Sequence, residues 1–71
     1  MSLSDAQKRA IIEERLTQFE IEKFHYELNR ETAAAIGNDE AQTVATDAIA
    51  QIDTAIAVYQ QALTDIDAPS S

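Results

Sequence analysis

Glu22-Lys23-Phe24-His25 is the stretch whose residue types and spacing come closest to coordination chemistry. A glutamate and a histidine three residues apart project from one side of a helix, the pair that carboxylate-bridged metal sites in helical bundles draw from a single helix. A complete site takes further carboxylates from a neighbouring helix. The second half of the chain supplies Glu40, at its beginning, and Asp53, level with Glu22 but short. The plainer reading is a solvated glutamate beside a boundary histidine, because the spacing arises by chance in a glutamate-rich helix. Glu22 and His25 are thus weak metal candidates, and the expectation is no metal and no cofactor. His25 alone, at the edge of an apolar stripe, would be a pH-sensitive contact, against the plainer reading of a surface histidine.

Other reactive types lack partners. Thr17, Thr43, Thr46, Thr54 and Thr64 are scattered, and the single histidine is remote from each of them. Tyr26 and Tyr59 read as core residues whose hydroxyls reach the rim. Glu13-Glu14 and Glu20/Glu22 pair carboxylates without a cleft around them. No cysteine and no glycine-rich phosphate loop occurs. These absences predict a protein that is not an enzyme.

The elements that would position these residues are helices. Ser4 is an N-cap whose hydroxyl can accept the Gln7 amide while Gln7 reaches back. The interior from Asp5 to Ile36 contains strong helix formers and neither Gly nor Pro. Gly37 suits the left-handed position after a helix, and Asn38 or Asp39 can cap the next one, with Gln42 as the box partner of Asp39. The expectation is all-α: a leader at 1–4, helices over about 5–36 and 40–67 joined by a turn at 37–39 into an antiparallel two-helix hairpin, and a disordered tail at 68–71. A hairpin of 71 residues buries little by itself, which points to dimerisation into a four-helix bundle.

The second helix carries the seam Ala41, Ala45, Ala48, Ile52, Ala55, Tyr59, Ala62, Ile66, a heptad pattern with alanine at every seventh position. Ile49, Ile56 and Leu63 run beside it. The first helix is apolar on two sides. Ile12, Leu16, Phe19, Tyr26 and Ala33 gather on one, Ala10, Ile21, Phe24, Leu28 and Ala35 on the other. Lys8, Arg9, Arg15, Lys23 and Arg30 accompany the first stripe, which places it against the acidic second helix. If residues whose numbers add up to about 75 lie level, Lys8 meets Asp67, Arg9 meets Asp65, Lys23 meets Asp53 and Arg30 meets Asp47. Phe19 then lies level with Ile56, Leu16 with Tyr59 and Tyr26 with Ile49. Ala33-Ala34-Ala35 should face Ala41 and Ala45 at the closest helix approach.

Five basic groups stand against thirteen acidic ones for a net charge of −8, and every base falls within residues 1–30. Such a surface repels nucleic acid and anionic lipid. No apolar run is long enough to span a bilayer, so the expectation is a soluble, cytoplasmic chain with neither nucleic-acid nor membrane partners. The remaining surface is one for proteins. Ile21, Phe24 and Leu28, with Val44 and Val58 on the outer edge of the second helix, form the expected interface with a second copy, or with a helical or basic partner. The function class this suggests is a self-associating assembly protein that masks or organises a helical partner. Small acidic hairpins serving as secretion co-chaperones or as accessory proteins of phage particles are similar in size and pattern. The rivals are a metal-binding, ferritin-like bundle built on Glu22 and His25 across an oligomer interface, and a purely structural subunit. If copies meet through Ile21, Phe24 and Leu28, the flanking Glu13, Glu20 and Glu31 bring like charges together, and added salt should tighten the association.

Overall fold

Ser4 starts the first helix by satisfying two orphan backbone groups at once. Its Oγ accepts the Gln7 amide at 3.1 Å, and Gln7 Oε1 accepts the Ser4 amide at 2.8 Å. From there α1 runs Asp5–Ala35. A computed structural model describes residues 2–67; the expected tail at 68–71 lies outside the described residues. Gly37 ends α1 at φ 73°, a conformation open to glycine because it has no Cβ. Two backbone bonds close the end: the Asn38 amide donates to the Ala33 carbonyl at 2.8 Å and the Gly37 amide to the Ala34 carbonyl at 3.2 Å. This double closure is a Schellman turn.

Asn38 then caps α2, Asp39–Asp67, its Oδ1 accepting the Ala41 amide at 3.0 Å. Asp39 is already inside the helix, so the expected Asp39–Gln42 box is replaced by a bond from the Gln42 amide to the Asn38 carbonyl at 3.1 Å. Asp39 and Glu40 instead place negative charge in the first turn, where the helix dipole favours it. Thr17, Thr32, Thr43, Thr46, Thr54 and Thr64 each donate their hydroxyl proton to the carbonyl four residues back, a local bond that ties each hydroxyl to the backbone.

α1 and α2 pack against each other as a hairpin. The radius of gyration is 16.4 Å, against about 11 Å for a compact domain of this length. The chain exposes 5370 Å², where a compact protein of 7.8 kDa exposes about 4,400 Å². Its core is a thin line: Phe19, Ala33, Ala45, Ile49 and Ile52 are buried, and Ile12, Leu16, Tyr59 and Ile66 are half-buried along the same seam. Tyr26, expected in that seam, lies at its edge with about a third of its surface exposed. Ala33 and Ala45 are the most buried residues, 4% and 3% exposed, so the closest packing sits beside the turn. Ala34 and Ala35 remain exposed, because helical phase turns them away from α2.

The charge partners differ from expectation at the open end. Lys23 pairs with Asp53 at 2.7 Å, whereas Arg9 pairs with Asp67 and not with Asp65. In both pairs the residue numbers add up to 76. Lys8, expected opposite Asp67, instead shares a depression with Asp65. Helical phase explains the exchange: at about 100° per residue, Arg9 and Asp67 point to one flank of the hairpin and Lys8 and Asp65 to the other. Among the described residues no ion pair joins Arg30 to Asp47. Phe19 reaches Tyr59 edge-on, with ring centroids 5.1 Å apart and planes at 81°. Side chains lean toward their own helix N-terminus, and in an antiparallel pair these two lean toward each other.

Substitution at the tight contact should therefore cost more than on the outer side. Ala45→Leu is expected to destabilise by about 1–3 kcal/mol through overpacking, and Ala50→Leu, on the exposed side of α2, by much less. Thermal unfolding of both variants checks this; equal shifts in melting temperature would contradict the packing described.

Candidate interaction surface

Two apolar surfaces remain uncovered, and they lie on different sides of the hairpin. The first is the outer ridge of α1. Ile21, Phe24 and Leu28 are 53%, 58% and 45% exposed, and at about 100° per residue they point away from Phe19 and hence from α2. Glu13, Glu20 and Glu31 flank this ridge. Val44 and Val58, also largely exposed, belong elsewhere. Val44 lines a depression with Tyr26, Ala41 and Ala45, and Val58 borders Ala62 and Asp65. One flat partner cannot cover both the ridge and these valines.

The second surface is one flank of the hairpin, and the two alanine and isoleucine columns of α2 explain its shape. Ile49, Ile56 and Leu63 lie on one side of the seam, where the Lys23–Asp53 and Arg9–Asp67 pairs also sit; that flank is closed. On the other side Ala41, Ala48, Ala55 and Ala62 are half-buried. Their short side chains leave three shallow depressions running from end to end: Ile11, Ile12 and Ala62 near the open end, Phe19, Ala48 and Ala55 in the middle, Tyr26, Ala41 and Val44 near the turn. The alanines expected in the hairpin seam thus also line a shallow groove along its edge. Sequence patterning places them on the seam but does not say which flank they open. Ile11, Leu3 and Ile36 are exposed as well, outside both stripes of α1 that the sequence pattern marks; the first two join this flank at its open end.

Glu22 and His25 border one open depression with Tyr26 and Asn29. No third acidic or histidine side chain joins them: among the described residues no group of three or more such side chains is placed to hold a metal ion. Stoichiometric iron or zinc is therefore not expected in the purified protein. Elemental analysis checks this, and one metal per two chains, lost in Glu22→Ala and in His25→Ala, would contradict it.

The charges on the closed flank are strengthened by their partners. Lys23 has its pKa raised above 10.5 by its hydrogen bond to Asp53 and then by that carboxylate's charge. Arg9 is raised in the same way by Asp67. A base whose pKa is raised by folding contributes stability that is present below its unfolded value and lost as pH rises through the folded one. The difference in melting temperature between the native chain and Asp53→Asn should therefore hold steady from neutral pH to about 10.5 and vanish above it. A difference that grows with alkaline pH would contradict the pairing.

No helix among the described residues is long and apolar enough to cross a membrane. Compared with known proteins, the chain matches no family model, no curated protein and no solved structure.

Proposed function

We propose that this chain is an assembly protein rather than an enzyme: a hairpin that completes its fold by associating with itself into a four-helix bundle and keeps a second surface for a helical partner. The observation that carries this reading is the apolar area left in water on two separate sides, the ridge at Ile21, Phe24 and Leu28 and the alanine-lined flank bordered by Val44 and Val58. With five buried residues among those described, the hairpin gains little from its own core, and covering either surface adds roughly 25 cal/mol for each Å² of apolar area removed from water. The division into two surfaces also suits an adaptor, since self-association can use one and leave the other free.

Sedimentation equilibrium tests the self-association. At tens of micromolar the expected mass is at least twice the 7.8 kDa of one chain, with helical content unchanged on dilution only while the association persists. A fully folded monomer across that range would sink the proposal.

A further inference from the structure

We infer that the alanine-lined flank, and not the Ile21-Phe24-Leu28 ridge, receives the second copy, and that the two hairpins lie antiparallel with their turns at opposite ends. This rests on the self-association proposed above and specifies its surface and orientation.

Area separates the two surfaces first. Ile21 to Leu28 spans about 10 Å of one helix, a ridge too short to bury the roughly 800 Å² per partner of a stable interface. The flank draws on both helices. α1 has 31 residues and the hairpin is 19 Å across, so this face measures roughly 900 Å² at the helical rise of about 1.5 Å per residue. Its floor is apolar and shallow, with alanine at every seventh residue of α2, which lets a facing helix approach closely.

Charge then selects the occupant and its direction. The ridge is flanked by Glu13, Glu20 and Glu31, and a second copy placed there would set like charges against each other. The flank carries both signs unevenly: at the open end two bases outweigh Asp65, and toward the turn the charge is acidic. At the open end stand Lys8, lining the depression with Asp65, and Arg15, which lies over the Phe19 ring at 5.1 Å. From the middle to the turn stand Glu22 and Glu40. A copy with its turn at the same end would put acid over acid. A copy turned end for end, about a twofold axis perpendicular to the helices, puts the Lys8 end of each chain over the Glu40 end of the other, with Glu22 near the axis and within reach of Arg15 of the other chain, in the isologous manner of a closed dimer. Opposite charges fix register and direction in this way more than they supply affinity. The same turn brings the exposed Val44 of one chain toward Ile11 of its partner, apolar against apolar.

Charge reversal tests this without confusing it with overall repulsion. Glu22→Lys with Glu40→Lys changes the net charge by four, from −8 to −4. General repulsion between acidic chains would make this double variant associate more tightly. The antiparallel flank instead places its new lysines over Lys8 and Arg15, and its dimer dissociation constant, read by sedimentation, should rise about tenfold or more. Adding Lys8→Glu and Arg15→Glu restores the net charge of −8 and inverts the polarity, and the quadruple variant should recover native association. Recovery also shows that the double variant was weak at its interface and not in its fold. If the double variant associates as well as the native chain or better, or if the quadruple variant stays weak while remaining helical, the flank and orientation are wrong although self-association stands. Loss of association in Phe24→Glu with the charge variants unaffected would assign the second copy to the ridge. A native chain that is monomeric throughout would overturn the self-association as well.

Discussion

Everything in this hairpin depends on the contrast between two neighbouring columns of α2. Alanine recurs every seventh residue from Ala41 to Ala62, and a branched residue recurs every seventh from Ile49 to Leu63. With both columns beside one seam, α1 can be gripped from one flank only. The branched column fills the space between the helices on the side where Lys23 pairs with Asp53 and Arg9 with Asp67. The alanine column leaves the other flank shallow. A hairpin closed on one side and open on the other is incomplete in a way that a symmetric seam would not be.

The thin core makes that incompleteness matter energetically. Phe19, Ile49 and Ile52 are the large buried side chains, each contributing about 1.5–3 kcal/mol, and helices of 31 and 29 residues must be ordered around them. Local devices help at the ends: the Ser4–Gln7 box, the Schellman closure at Gly37 and the Asn38 cap each satisfy backbone groups that helix ends leave open. They fix where the helices begin and stop. They do not remove apolar surface from water; in the dimer we propose, that task falls to the second copy.

Much of this was legible in the sequence because it is local or follows helical phase. Ser4, Gly37 and Asn38 announce the helix ends by their own chemistry, and the five bases of α1 identify the stripe that meets an acidic partner. Lys23 and Asp53 were readable as a pair since both mid-helix positions tolerate a one-residue error in level. Arg9 and Lys8 were not, because at the open end the choice between Asp65 and Asp67 rests on which flank each side chain enters. The side on which the alanine column opens was not legible for the same reason. A heptad pattern locates a seam along a helix, but its left and right edges become distinct only when the second helix is in place. Tyr26 illustrates the limit: its period puts it on the seam, and its bulk beside the small Ala41, Ala45 and Ala48 carries the ring to the rim.

The chain contains no cysteine, so a single engineered thiol at Ile36, exposed at the turn, can carry a spin label in every copy. Distance measurement between the two labels of a dimer reads the arrangement directly. Antiparallel hairpins joined along the flank place the turns at opposite ends, and the separation should be close to the helix length, about 46 Å. A distance under about 20 Å, a small fraction of that helix length, would put the turns side by side and contradict the account.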